Sequence, residues 1–278
     1  MLGLLTLQPD MSLEETIIPL PDWGEGVVME AIPSPFGVVY ALVSHCGGDS
    51  GQLRLDSGVT RTDLWVLHLD SLEWEMVPHN EGETWPAPAA YRLSGCIDGD
   101  LVVGGGIARD QHIQGEGWSS QDIAYVNDVW RLDPENLYWR QFSICIPKDA
   151  QYGYRLHTFA VQGGAIYDMS GCWISCISDK HGFVSVCRPG DIHATTARGT
   201  VAVGKVVCAF GSHDAVGYMC VYDPLTEAYS PMLPGGPEHW VRSACMLDPT
   251  TMLLLTSAGH LVLADVDLDV LSSSLWEM

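Results

Sequence analysis

Basic residues are scarce in this sequence. It carries 13 Lys and Arg against 35 Asp and Glu, a formal net charge of −22 over 278 residues. Because such a surface repels phosphate backbones and anionic lipid headgroups, the charge argues against nucleic acid and membranes as partners. Hydrophobic residues still make up 47% of the chain, enough to fill a core, so the acidity does not indicate disorder.

Long apolar runs and targeting signals are also missing. No run approaches the roughly 18 residues that span a bilayer. The start, MLGLLTLQPDMSLEE, has neither a basic n-region nor a small-residue cleavage site. The nine cysteines are an odd number, and most lie inside apolar runs such as VVCAF and SACML. We therefore expect a cytoplasmic protein with reduced, buried thiols.

Cofactor and metal motifs are absent or incomplete. VVGGGIARD lacks the Lys-Ser/Thr and the following helix of a phosphate loop. DVDLD (Asp265–Asp269) imitates the first ligands of a calcium loop, but Val270 and Trp276 stand where Gly and Glu are required; alternating Asp and apolar residues are typical of a half-buried outer strand. The cysteines of CWISC (Cys172–Cys176) do not have zinc-site spacing. We expect no bound cofactor or metal.

What the sequence does contain is a repeated aromatic skeleton. DLWVLHLDSLEW (Asp63–Trp74) and DVWRLDPENLYW (Asp128–Trp139) each place one Trp two residues after an Asp and another Trp eleven residues after it. A third copy, YMCVYDPLTEAY (Tyr218–Tyr229), closes on Tyr and has Cys220 in place of the first Trp. Asp-containing turns inside each copy predict two antiparallel strands whose aromatics pack in the core between sheets. Weaker copies begin at Phe183, Leu261 and Leu4.

An apolar run that ends in glycine precedes the clear copies, as in DLVVGGG and KVVCAFG. Together, HCGG…TDLWVLHLDSLEW and VVGGG…NDVWRLDPENLYW resemble the kelch repeat in their apolar run, double glycine, Asp-Leu/Val-Trp and trailing Trp. The resemblance covers most of the chain, because six units give about 46 residues each, near the kelch period of roughly 50. It implies a β-propeller of four-stranded blades, with strands a to d from the central channel outward.

We therefore predict an all-β fold, a single kelch-type β-propeller over residues 1–278, with six units of which the N-terminal one is incomplete. The first unit has room only for strands c and d, and VLSSSLWEM is expected to supply strand d of the last. Either the ring closes around an incomplete blade or the chain is a fragment. The approximate units are 1–19 (partial), 23–78, 85–143, 150–194, 195–232 and 238–278.

Two b–c loops, which lie on one face of an antiparallel meander, are long: Asp49–Thr62 and Ile107–Val126. Insertions that collect on one face of a repeat array often mark a binding face, although loops also accept insertions at little cost. Within the second loop, Arg109 and Trp118 are candidate partner contacts. A Trp in a Gly- and Ser-rich loop has no core to join and suits a binding anchor.

Arginine recurs at one position of the repeat. Arg92, Arg155, Arg198 and Arg242 each precede or begin a predicted strand a, at steps of 63, 43 and 44 residues. The second unit has no arginine there. Because strand a is innermost, the four guanidinium groups would surround the channel mouth and bind carboxylates of a partner peptide, on the face that kelch domains use for acidic peptides. The alternative is structural: each arginine pairs with a neighbouring Asp or backbone carbonyl.

These features favour a non-catalytic protein-interaction module, a scaffold or substrate receptor, whose partner is another protein and not a small-molecule substrate. Two alternatives stay open. One is a kelch-like propeller enzyme, a metal-dependent oxidase or a sugar-acting enzyme, although the ten histidines are scattered along the chain and their spacing defines no ligand set. The other is a truncated fragment of a larger kelch protein.

Overall fold

The computed structural model of the chain consists almost entirely of β-sheet. It describes residues 2–7, 13–24, 27–46, 59–79, 84–90, 92–109, 123–146, 160–170, 173–178, 182–187, 196–213, 216–230, 233–234, 241–273 and 275. Among these residues, no helix is long and apolar enough to cross a membrane.

The first two sheets contain strands β1 to β6. In the first sheet, β1 (Leu2–Leu7) pairs antiparallel with β2 (Leu13–Ile18). The second sheet has the order β3-β4-β5-β6 and is antiparallel throughout. Its strands are β3 (Val27–Pro33), β4 (Val38–Cys46), β5 (Val59–His68) and β6 (Glu73–Met76).

The third sheet has the order β12-β11-β8-β7, and a small two-stranded ladder of β9 and β10 lies between β8 and β11 in the chain. The sheet strands are β7 (Leu93–Ile97), β8 (Asp100–Gly104), β11 (Asp128–Asp133) and β12 (Tyr138–Cys145). The ladder strands are β9 (Ile107–Arg109) and β10 (Ile123–Tyr125). The expectation of a loop throughout 107–126 is therefore wrong at both of its ends, where β9 and β10 pair antiparallel.

The fourth and fifth sheets are four-stranded, with their strands in chain order. The fourth contains β13 (Ala160–Gln162), β14 (Ala165–Ser170), β15 (Trp173–Ser178) and β16 (Gly182–Cys187). The fifth contains β17 (Thr196–Val203), β18 (Val206–His213), β19 (Val216–Tyr222) and β20 (Leu233–Pro234). The sixth contains three strands among the described residues: β21 (Val241–Asp248), β22 (Thr251–Thr256) and β23 (Leu261–Asp265).

The prediction of a final strand in VLSSSLWEM is wrong over residues 270–273, where α1 (Leu268–Ser273) forms instead; of the remaining residues the structure describes only Leu275. Asp267 explains the helix: its Oδ1 accepts hydrogen bonds from the backbone N–H groups of Asp269 (3.0 Å) and Val270 (3.1 Å). A side-chain acceptor of this kind stabilises a helix N-terminus. Leu271 then lies buried in the core of the fifth and sixth sheets. The Asp residues of DVDLD thus end a strand and begin a helix, where the sequence predicted an outer strand.

The chain divides into two compact units. One comprises Met1–Arg92 and Gly99–Ser143, and the other Leu93–Asp98 and Ile144–Met278. A cluster around Trp23, Ala41 and Val43 forms part of the core of the first unit. In the second unit, the core clusters contain residues of the fourth to sixth sheets and consist mainly of aliphatic, aromatic and cysteine side chains.

The turn inside the aromatic skeleton is the same in all three clear copies. Seven residues after the first Trp position, or its Cys counterpart, the backbone adopts a positive φ: 59° at Leu72, 55° at Leu137 and 58° at Glu227. The predicted Asp turns are present before two of these residues, where the side chains of Asp133 and Asp223 each accept a backbone N–H bond at 2.9 Å. The predicted four-stranded antiparallel units are thus confirmed, with a shared c–d turn.

Candidate functional site

The structure describes the predicted contact residues to different extents. Arg155 and Trp118 lie outside the described residues. Arg109 is the last residue of β9, at the start of the long b–c connection of the third sheet. Partner contacts by these three residues stay predictions.

Arg198 and Arg242 occupy matching backbone positions. The register of β17 against β18 shifts at Arg198, and the register of β21 against β22 shifts at Arg242, so each is the extra residue of a β-bulge. The residues that follow them lie in contact, since a Cβ built on Gly199 would be 3.3 Å from the Cα of Ser243. The two arginines therefore start neighbouring inner strands that converge at this end of the second unit.

Arg92 is the one predicted arginine whose side chain is described, and it is buried at 1% exposure. Its Nη1 donates to the carbonyl of Gly105 at 3.2 Å and its Nη2 to the carbonyl of Ala87, while Asp128 Oδ1 lies 4.0 Å from Nη1. Burial lowers the pKa of the guanidinium, and the charges of Asp128 and Glu30 oppose that shift. Arg92 thus matches the structural alternative, an arginine held by carbonyls and a neighbouring Asp.

The chain before β7 is clamped to the second sheet, which immobilises Arg92 further. Ser44 Oγ donates to the Ala89 carbonyl at 2.7 Å, and Thr62 Oγ1 accepts from the Ala89 N–H at 3.2 Å. The backbone N–H of Arg92 donates to Glu30 Oε1 at 3.1 Å. Ser44 and Thr62 are buried, so these polar groups satisfy each other away from water.

The first Asp and first Trp of the skeleton bind each other in the third sheet. Trp130 Nε1 donates to Asp128 Oδ2 at 2.6 Å, and Trp130 is buried. Residues two apart on a strand project from the same face, which explains the Asp-x-Trp spacing. Asp128 therefore accepts the indole N–H and faces the buried guanidinium of Arg92.

The second sheet uses the same spacing differently. Asp63 Oδ2 lies 2.9 Å from His45 Nε2 and 2.8 Å from Arg61 Nη2, and these two nitrogens are 3.2 Å apart. His45 and Asp63 are each 19% exposed, whereas Arg61 is 65% exposed. The indole N–H of Trp65 is buried and has no hydrogen-bond partner among the described residues. We refer to His45, Arg61 and Asp63 as the His45 cluster.

The inner strand accounts for the difference. Met29 on β3 lies opposite Val43, and Val43 lies opposite Asp63. In the third sheet, Arg92 stands at the corresponding end of the inner strand and bonds Gly105. Because Met29 offers no charge, Asp63 takes its cationic partner from the start of its own strand. Sequence reasoning missed this cluster, since His45 and Arg61 come together only through the β4–β5 register.

The closing Trp of each skeleton packs against a Trp that the repeat pattern did not single out. Trp23 meets Trp74 edge-on, with centroids 5.5 Å apart and planes at 83°. Trp85 meets Trp139 at 5.8 Å and 66°. Trp23 and Trp85 each lie in the segment before the inner strand of the same sheet, so the pairs join the two ends of a sheet. Core packing of Trp130 and Trp139 is confirmed, since both are buried.

Metal ligands do not converge in the part of the chain that the structure describes. No group of three or more His, Cys, Asp or Glu there could hold a metal ion. Cys176 of β15 lies opposite Tyr167 of β14, next to the tyrosine pair of Tyr167 and Tyr222. Burial, followed by the nearby Cys176, raises the pKa of Tyr167 to about 12.

Comparison with known proteins finds likeness at the level of fold. No family model matches the chain, and no curated protein matches it. Among solved structures, YjhT matches with a TM-score of 0.62 at 11% identity, over 99% of this chain and 90% of that one. The selenomethionine-substituted virginiamycin B lyase from Staphylococcus aureus matches with a TM-score of 0.47 at 11% identity, over 96% and 78%. The fold class is an all-β propeller, a class that serves enzymes and non-enzymes alike, so fold does not decide between them.

Proposed function

We propose that the protein is a non-catalytic protein-interaction module that binds an acidic segment of another protein. The binding surface is the end of the fifth and sixth sheets at which β17 and β21 start. The observation that carries this proposal is the shared bulge position of Arg198 and Arg242 on converging inner strands.

The arginines, and not the overall charge of the chain, favour an acidic ligand at this end. A protein with a net charge of −22 repels acidic peptides over most of its surface. Two arginines on adjoining strands reverse that field locally, and guanidinium groups bind carboxylates with paired, charge-assisted hydrogen bonds. Arg155 is the third candidate by sequence equivalence, and Arg109 and Trp118 belong to the connection of the third sheet. We assign Arg92 a structural role in its own unit, since its buried side chain holds the backbone before β7.

A peptide-display selection on the purified protein tests the proposal. We expect it to recover peptides rich in Asp and Glu, and we expect Arg198→Gln with Arg242→Gln to weaken the best of them at least about tenfold, as loss of charge-assisted bonds requires. Arg140→Gln is the matched control, because Arg140 is 60% exposed on the outer strand β12. The proposal fails if the selected peptides are not acidic, or if the control variant weakens them equally.

A further inference from the structure

The His45 cluster has the composition of an anion-binding site in which the carboxylate of Asp63 takes the place of the anion. Two nitrogen groups, His45 Nε2 and Arg61 Nη2, converge on a single oxygen, Oδ2 of Asp63. The surroundings are β-strands in antiparallel register, so these groups sit on a rigid frame. Arg61 is 65% exposed, which leaves its guanidinium open to an incoming ligand.

Asp63 has an unused alternative partner in the same strand. Trp65 Nε1 is buried without a hydrogen bond among the described residues, although a buried donor left unpaired costs free energy. The corresponding indole of Trp130 donates to Asp128 at 2.6 Å. The third sheet thus contains the arrangement that Asp63 and Trp65 would form if His45 and Arg61 were bound to something else.

We propose that His45 and Arg61 bind a carboxylate or phosphate group, and that Asp63 occupies this site until the ligand arrives and then exchanges to Trp65 Nε1. In the exchange, His45 and Arg61 bind the ligand in place of Asp63 with charge-assisted hydrogen bonds. The indole N–H of Trp65 then donates to the carboxylate of Asp63. Asp63 therefore sets a threshold: an anion binds only if its interaction with His45 and Arg61 exceeds that of the resident carboxylate. The inference extends the proposed function to the second sheet, where Met29 replaces the arginine of the inner strand, and it rests on that function only for a peptide as the source of the anion.

The test is a phosphate titration at constant ionic strength, followed by the indole ¹H–¹⁵N resonances of the protein. The Trp65 resonance is assigned with Trp65→Phe. We expect it to move downfield in a saturable way as its N–H gains a carboxylate acceptor. The indole of Trp139, also buried without a partner among the described residues, should not move. A Trp65 resonance that stays fixed at saturating phosphate would overturn the exchange.

Three variants sharpen this test. Arg61→Gln should raise the dissociation constant for phosphate at least about threefold, since it removes a charge-assisted donor. Lys205→Gln should leave it unchanged, because Lys205 is similarly exposed, at 66%, and is paired at 3.9 Å with another Asp, Asp223. Asp63→Asn should lower it at least about threefold, since the internal competitor loses its charge. Equal constants for the wild type and Arg61→Gln would overturn the site.

The source of the anion is decided by repeating the titration with acetate and with an acidic peptide selected on the wild-type protein. A Trp65 shift at lower concentration with the peptide identifies a protein side chain as the ligand, whereas equal response to acetate identifies a free anion. The Arg198→Gln, Arg242→Gln variant should keep the phosphate response. Failure of the proposed partner binding is therefore distinguishable from failure of this site.

Discussion

Asp63 and Asp128 open the same sequence skeleton and are similarly exposed, at 19% and 14%, yet their partners differ. Asp128 accepts the indole N–H of Trp130 and faces the buried Arg92, whereas Asp63 contacts the half-buried His45 and the exposed Arg61. Residues at the same position of the repeat can therefore have different interaction partners in different sheets. The inner strand accounts for the difference: where it supplies the buried Arg92, the Asp faces that cation, and where it supplies Met29, the Asp pairs with His45 and Arg61.

We expect the largest effect on the free energy of unfolding from the removal of the buried Arg92. Arg92→Met, which copies Met29 of the second sheet, leaves the carbonyls of Ala87 and Gly105 without their donor and Asp128 without its neighbouring positive charge. We expect the free energy of unfolding in urea to fall by at least about 3 kcal/mol. Adding Asp128→Asn should restore part of the loss, because the uncompensated charge disappears. A loss of only about 0.5 kcal/mol, which is typical of a substitution at the protein surface, would contradict the burial of Arg92.

The two indoles provide the next contrast. Trp130→Phe removes a hydrogen bond to a carboxylate, so we expect it to lower the free energy of unfolding by about 2 kcal/mol more than Trp65→Phe does. Trp65→Phe deletes a donor that has no partner among the described residues. Equilibrium denaturation of both variants gives the difference directly. Equal losses of unfolding free energy in the two variants would contradict a stabilising hydrogen bond from Trp130 to Asp128.

Asp63→Asn should lower the free energy of unfolding much less than a substitution at Arg92 or Asp128 does. Its ion-pair partner Arg61 is 65% exposed, and such pairs contribute under about 1 kcal/mol. Thermal unfolding of this variant beside Asp128→Asn measures the contrast. A larger loss for Asp63→Asn than for Asp128→Asn would reverse the comparison.

The smallest effect is expected at the turn that both sheets share. Leu72 and Leu137 have φ values of 59° and 55°, a conformation that glycine adopts without strain. Leu137→Gly should therefore raise the free energy of unfolding by about 0.5 kcal/mol, the relief of left-handed strain minus the entropy cost of glycine. Tyr138→Gly, one residue further along in β12, should lower it, since that residue is in a strand. Leu72→Gly should behave like Leu137→Gly.

Much of the fold could be predicted from local patterns. Alternating apolar residues and Asp turns indicated four-stranded units, and the structure confirms them because strand and turn formation depend on neighbouring residues. The final element was predicted wrongly. VLSSSLWEM has the composition of a strand, but the side chain of Asp267 caps a helix and Leu271 finds the core, neither of which a strand pattern reveals.

Less of the candidate site than of the fold could be predicted from the sequence. The recurrence of arginine correctly located Arg198 and Arg242 at one structural position. It could not show that Arg92 is buried, because burial depends on how the preceding segment is clamped by Ser44 and Thr62. The His45 cluster gave no periodic signal at all, since it occurs in one sheet.

By itself, the sequence determined the strand alternation, the position of the c–d turns, the spacing of the aromatics within each copy and the net negative charge. These properties follow from interactions between residues near in the chain and from composition. Only the tertiary structure decided which partner each Asp has, which indole N–H is hydrogen-bonded and which arginine is buried. Each of those outcomes depends on a residue from another strand, and register brings such residues together after the chain has folded.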